Sequence, residues 1–437
     1  MYHSSCDMKS AIRLDRNEGE SPMPTERLYY NDTYATEFDG TIVRVGQHDD
    51  RPAVVLDRSC FYPTSGGQPH DLGELDGASV IDVIVDQDND DLSGSGGEVV
   101  HILDRLPAEA ATSRTVHGVV DWPRRYDHMQ QHSGQHLLSQ VFAASLGVET
   151  VSVHFGSAVS TVELAVEALD DADLRAVEAT ANARVFDNLP IRAYFVDEAG
   201  LAKLPLRKPP AVQGKIRIVE IEAFDYSACG GTHVRRTGEI GPIKLVGQEK
   251  IRGRTRIAFL CGRRALDDYA RKSRIVGEVA ACFSTDPEET PQLIARLQAD
   301  NKRLQRELAT ATARLLAHDA AGLAAAAPMA GDVRLVATTL TACSPADLKI
   351  LAQHLQAEPR MIALLAGAHD DKLTAIFARS ADVNLHAGNL LRRALQQFGG
   401  GGGGRPDFAQ GGGMPVAEAA ALINFARQQV EEELTRS

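Results

Sequence analysis

Apolar residues recur along the chain in distinct rhythms, and the changes of rhythm divide it. From Thr36 to about Val119, short β-branched and aliphatic runs at 40–45, 53–56, 79–85 and 99–103 are separated by clusters of Asp, Gly and Ser. That pattern predicts a small β-barrel or sandwich. From Asp121 to about Asp268 the periods alternate. A run of helix formers with apolar residues at helical spacing covers 129–142, a second helix is expected at 170–188, and strand-like runs stand at 150–155, 160–164, 190–196 and 216–221. Helices packed on an antiparallel sheet are the expected result.

Residues 285–326 read as one long helix. Ile294, Asn301, Leu308 and Leu315 mark one seam position and Leu297, Leu304 and Ala311 the other, with Asp286, Glu288 and Glu289 favouring the N-terminal end. A helical hairpin, a coiled-coil linker or a dimer seam each fits, and Asn301 would help fix the register. From Val333 onward an α/β pattern returns, with strands at 333–337, 361–366 and 372–378, a helix at 346–356 and a closing helix from Pro415. The opening residues are polar and aperiodic, which predicts disorder. The expected organisation is therefore α+β: a disordered extension over 1–28, a β-barrel domain over 29–119, an α/β domain over 120–270, a helical connector over 285–326 and a C-terminal α/β domain over 333–437.

A length of 437 residues fits about three domains, and 43% apolar content suffices for their cores. No stretch approaches the ~18 apolar residues of a membrane span, and the opening lacks the apolar centre of a secretion signal, so a cytoplasmic protein without a membrane partner is expected. The six cysteines are scattered rather than paired in a disulfide framework. A net charge of −13 argues against indiscriminate nucleic-acid binding. One stretch departs from that balance: 235–264 holds nine Lys and Arg against Glu239 and Glu249. Arg235, Arg236, Arg252 and Arg254 are its candidates for a phosphate track, the alternative being a solvated strand surface.

The chemistry concentrates in two short motifs. His132-Ser133-Gly134-Gln135-His136 lies in a helical run, so His132 and His136 share one face and their imidazoles can converge on one ion. Cys229-Gly230-Gly231-Thr232-His233 adds a soft thiolate and a third imidazole, with two glycines that let the backbone fold tightly. His132, His136, Cys229 and His233 make a donor set suited to one Zn2+ per chain. His154 is read as a strand residue near the site rather than a fifth ligand.

These motifs, with a third at Phe61-Tyr62-Pro63-Thr64-Ser65-Gly66-Gly67-Gln68-Pro69, resemble the editing domain of alanyl-tRNA synthetases and free-standing AlaX-type editing proteins. The likeness to threonyl-tRNA synthetases is looser. Gly399 to Gly404, Arg405-Pro406 and Gly411 to Gly413 resemble the DHHA1-type domain that accompanies the editing domain, where a lone glycine run would read as a linker. The resemblance implies a zinc-containing hydrolase that deacylates tRNA(Ala) carrying serine or glycine. It also implies RNA binding by the C-terminal domain, with Arg405 and the bare amides of Gly402 and Gly403 as phosphate contacts. Gln68, Ser59 and Thr64 are the candidate substrate contacts for selecting a serine hydroxyl. The family often carries an acidic residue and a glycine at Thr64 and Ser65, and threonine near Ser59, which bears on substrate preference. Competing expectations are a tRNA-binding protein with a structural zinc and no hydrolysis, and editing of Ser-tRNA(Thr). No P-loop is present, no aminoacylation domain is expected, and a homodimer through the C-terminal region or coiled coil would fit.

Overall fold

The computed structural model describes residues 12–14, 24–86, 97–209, 214–369 and 371–435. They form a mixed α+β fold in two compact units, Met1–Glu278 and Val279–Ser437.

The first unit begins with a sheet that returns on itself. Glu37–His48 pairs with Arg51–Leu56, which pairs with Glu98–Leu103; the order continues through Ala78–Asp86 and Gly73–Leu75 to Thr115–Val120, which pairs back onto Glu37–His48. All these pairings are antiparallel, and the apolar set of the alternating pattern, including Ile42, Leu56, Leu75, Val83, Leu103 and Val116, packs into one cluster. The four expected runs all lie in this sheet. Gly73–Leu75 and Thr115–Val120 were not expected, the first because three residues carry no period. Two segments of the stretch expected as an extension are paired. Ile12–Leu14 pairs with Gly46 to His48, and Glu26–Arg27 pairs with Arg58–Ser59. The remainder of 1–23 lies outside the described residues.

Trp122–Leu146 is the central helix of this unit. Asp121 caps it by accepting from the Arg124 backbone N–H, Pro123 sits in its first turn, and Gly147 ends it in the left-handed conformation at φ 67°. The helix is buried on every side from His128 to Ser139, so its polar side chains need partners inside. Gln131 exchanges hydrogen bonds with the Cys261 backbone, and Gln130 donates to Glu239 O. Gly134 is required by contact. A Cβ there would stand 2.3 Å from Cys261 Sγ on strand Arg254–Cys261. That strand belongs to a four-stranded sheet with Thr150–Phe155, Ser160–Leu164 and Ile243–Ile251, while Ile191–Val196, Ile216–Ile221 and Asp225–Ala228 form a three-stranded one. Helix Asp171–Phe186 completes the core through Val177, Ala181 and Val185. Helix Arg263–Cys282 was missed: its apolar positions Leu266, Tyr269 and Val276 are interrupted by charge and remain exposed.

The second unit is a six-stranded sheet in the order Met329–Ala330, Val333–Thr341, Met361–His369, Lys372–Arg379, Phe408–Gly412, Gly401–Gly404. Separate apolar clusters cover its faces: helices Ala387–Gln397 and Ala419–Thr435 on one, and Pro345–Ala357 with the end of Thr290–Ala326 on the other. Four of the six glycines in the run, Gly401–Gly404, therefore form a strand rather than a linker. Gly402 and Gly403 pair with Gly411 and Gln410. The long helix starts at Thr290 rather than 285, and its seam residues Ile294, Leu297, Leu304, Leu308 and Leu315 are exposed in the single chain.

Candidate metal centre

Two anchors bring the loop 59–71 onto the central helix. Arg125, fully buried in the first turns, reaches Asp71 through Nε at 2.9 Å and through Nη2, and donates further to Cys60 O and Thr33 O. Asp71 in turn accepts the Tyr62 backbone N–H at 2.6 Å. This ion pair holds the loop against the turn of helix that precedes the histidines.

His132, His136, Cys229 and His233 converge, with one donor atom from each lying within 4.8 Å of all the others. Cys229 Sγ is 3.4 Å from His132 Nε2 and 3.4 Å from His233 Nε2. Tetrahedral zinc with bonds of about 2.0–2.1 Å to nitrogen and about 2.3 Å to sulfur places such donors about 3.5 Å apart. The quartet thus has the size and chemistry of a metal site. Gly231 makes the close approach possible, because a Cβ there would meet His132 Cε1 at 2.2 Å.

The other nitrogen of each ring is already held. His132 Nδ1–H donates to Gln68 Oε1 at 2.8 Å, His136 Nδ1–H to Asp225 Oδ2 at 3.3 Å, and His233 Nδ1 lies 3.1 Å from Ser133 Oγ. Gln68 and Asp225 offer only acceptors at those atoms, so both rings carry the proton on Nδ1 and turn Nε2 to the centre. Gln68 is itself fixed, since Oε1 accepts the Thr232 N–H at 3.1 Å and Nε2 donates to Thr232 Oγ1 at 2.8 Å. Asp225 is braced by Arg207 and Ser227.

Electrostatics prepare the thiolate. Burial opposes ionisation of Cys229, but its interactions with His132, His233 and His136 outweigh it and hold the thiol well below its ordinary range. Burial likewise opposes the charged form of His136, yet Cys229 and then Asp225 push it up to about 9. Burial and the neighbouring His132 take His233 down to about 3. A metal ion would displace the proton that the cluster otherwise shares.

The other expected site residues fall elsewhere. Ser59 is sealed inside the first sheet, 2.7 Å from His101 Nε2, and accepts the Phe61 N–H. Thr64 is exposed and hydrogen-bonds His70. His154 stays outside the quartet. In the basic stretch, Arg235 pairs with Asp32, Arg254 with Glu163, and Arg236 donates to Asn188 O; Arg252 lies in a turn at φ 45°. Seven of its nine cations have carboxylate partners, so the stretch is largely neutralised surface. Gly402, Gly403 and Arg405 lie in the second unit, where Arg405 is exposed in the turn between strands Gly401–Gly404 and Phe408–Gly412. The residues that sequence reasoning missed are Asp225, Thr232 and Ser133. Thr232 and Ser133 stand inside the two motifs, and Asp225 stands four residues before Cys229.

The centre is a buried His/Cys metal-type site on an α+β scaffold, and comparison with known proteins gives its kin. Residues 216–258 match the threonyl and alanyl tRNA synthetase second additional domain, 332–432 the DHHA1 domain, and 6–124 the family of class II (A) tRNA synthetases. The alanine–tRNA ligase of Halorubrum lacusprofundi is 30% identical over 430 residues, covering 95% of this chain and 45% of its own length. That of Thermococcus kodakarensis is 31% identical over 405 residues, covering 89% and 41%. The alanyl-tRNA editing protein AlaX-L of Pyrococcus horikoshii is 35% identical over 278 residues, covering 62% of this chain and 66% of its own. The chain is an AlaX-like relative of the alanyl-tRNA synthetases and carries their second additional and DHHA1 domains. It spans less than half the length of the ligases it matches. No helix among the described residues is long and apolar enough to cross a membrane.

Proposed function

We propose that the chain hydrolyses the ester of mischarged alanine tRNA, Ser-tRNA(Ala) first and Gly-tRNA(Ala) second, with zinc in the His132, His136, Cys229, His233 site. The observation that carries this reading is the convergence of that quartet beside the Gln68 loop. A synthetase pocket shaped for a methyl group excludes an added hydroxyl poorly, so a second site must remove the error. Bound zinc would supply polarisation or positioning of the ester carbonyl.

The chain's own residues do the rest. Gln68 aims His132, Asp225 aims His136, and Ser133 holds His233, fixing where an ester can lie. With both ends of its amide engaged, Gln68 acts through His132 rather than as the reader of a serine hydroxyl. Ser59 is a scaffold residue on the same grounds, which leaves Thr64 as the member of the three with a solvent-facing side chain. The C-terminal unit binds the RNA, and the first sheet is the barrel of the editing fold.

Four protein ligands favour a second reading, because closed four-ligand sites are ordinarily structural. In that case the chain binds tRNA and hydrolyses nothing. Following ester loss from Ser-tRNA(Ala), Ala-tRNA(Ala) and Ser-tRNA(Thr) separates the readings. Rapid loss from Ser-tRNA(Ala) alone is expected, and His136→Ala or Cys229→Ala should lower bound zinc and abolish it. Persistence of Ser-tRNA(Ala) with zinc bound would sink the hydrolase; preferential loss from Ser-tRNA(Thr) would reassign the substrate.

A further inference from the structure

Beside the loop that carries Cys229 and His233 lies a recess of about 150 Å3, lined in part by Tyr30, Thr33, Ala193, Arg217, His233 and Arg235. Arg217, on strand Ile216–Ile221, is 1% exposed. Its Nη1 donates to Cys229 O and Gly231 O, each at 2.9 Å, and its guanidinium carbon lies 5.0 Å from the centre of the Tyr30 ring. Nε and Nη2 are buried with no hydrogen-bond partner. No carboxylate among the described residues pairs with this cation. Asp32, which also lines the recess, is engaged by Arg235 and by the Tyr34 backbone N–H. Burial accordingly pulls the Arg217 pKa down from its ordinary value.

A buried guanidinium with unspent N–H groups is costly to hold, and an anion beside it relieves that cost. We propose that the recess receives one phosphate group of an RNA strand end, with Arg217 as its buried counter-charge and Arg235 at its rim. The inference rests on the reading of this site as one that receives a tRNA terminus. It adds a way of setting register. The guanidinium that attracts the phosphate also grips the carbonyls of Cys229 and Gly231, so a seated strand is indexed against the metal-binding loop. Phosphate suits the recess better than a side-chain carboxylate, because it offers acceptor oxygens in several directions to a wall that mixes Asn31, Thr33 and two arginines.

The test uses the full chain and an uncharged acceptor-stem RNA ending in CCA, with affinity measured across a salt series. Arg217→Met removes the cation. Ala193→Glu leaves Arg217 and its carbonyl contacts in place but sets a carboxylate on the recess wall, and metal content and thermal midpoint establish that each variant is folded. Both variants are expected to bind about tenfold more weakly, with the salt slope reduced by about one. Inorganic phosphate should compete with RNA for the wild type and not for Ala193→Glu, and should raise the wild-type thermal midpoint more. Wild-type affinity and slope in folded Ala193→Glu would overturn the proposal. A midpoint response to phosphate without RNA binding would overturn the assignment to RNA. The RNA carries no ester, so a failed deacylation assay leaves these results standing and counts only against the hydrolase.

Discussion

Glycine does opposite work in the two units. In the first unit Gly231 makes room for a ring of the His/Cys cluster, since its missing Cβ is the space His132 occupies. In the second unit the glycines make room for packing. A Cβ on Gly411 would stand 2.2 Å from Leu395 Cδ1, and one on Gly402 would stand 2.8 Å from the same atom, so helix Ala387–Gln397 lies directly on strands Phe408–Gly412 and Gly401–Gly404. Read as letters, both segments look like flexible backbone. In place, both are among the most constrained positions of the chain, and only contact distinguishes a glycine kept for chemistry from one kept for density.

The largest effect should come from Gly231→Ala. The added methyl cannot coexist with the His132 ring, so bound zinc should be lost while the second unit keeps its stability, as metal analysis and domain-resolved hydrogen exchange would show. Full metal occupancy in that variant would erase the contrast. Gly411→Ala is its counterpart: displacing Leu395 should cost about 1–3 kcal/mol of overpacking in the second unit and leave the metal in place. Gly403→Ala is the matched control, because its nearest neighbour is the tip of the Arg392 side chain at 3.9 Å. It should cost no more than about 0.5 kcal/mol, the ordinary scale for surface substitutions. Equal losses in Gly403→Ala and Gly411→Ala would show that strand formation, not helix contact, sets the requirement.

Gln68→Ala sharpens the same comparison from the other side of His132. The ligand stays and only its orienting partner goes, so zinc affinity should fall about 10–100-fold, the usual cost of removing such a support. Deacylation should fall in proportion and recover when zinc is raised. A changed ratio of serine to alanine ester loss at full metal occupancy would instead make Gln68 a direct reader of the substrate.

Much of this was legible in advance and some was not, for physical reasons. The quartet follows from a four-residue helical spacing and a Cys-x-x-x-His turn, both local. Its supports, Asp225 and Thr232, act across space and have no period. Strands with a clean alternation, such as Ser160–Leu164, stand where the pattern places them. Helix Arg263–Cys282 and the glycine strand were missed because one keeps its apolar face exposed and the other has no side chains to carry a pattern. The basic stretch is also less free than its letters suggest, for a related reason. Sequence counts charges, whereas the fold pairs Arg256 and Arg254 with Glu163, and Lys244 with Glu178, from distant segments.

Acid should separate the two units most gently of all. His101 is buried behind Ser59, and burial lowers its pKa to about 4; His128, in the central helix, is likewise lowered to about 4 by burial and then Arg124. The second unit's His318, His354, His369 and His386 are at the surface. Because the unfolded chain takes up a proton near 6.5 and folded His101 does so only near 4, its contribution is fully present above about pH 6.5 and is lost as pH falls toward 4. For His101 alone the loss at pH 5 is about 2 kcal/mol. Unfolding followed separately in the two units should show the first unit weakening first between pH 6.5 and 4. His101→Gln should flatten that slope whatever it does to stability at neutral pH, because the substituted side chain has no proton to gain. An unchanged slope in His101→Gln would move the acid sensitivity to His128 or to the metal ligands, which release their ion as protons compete for them.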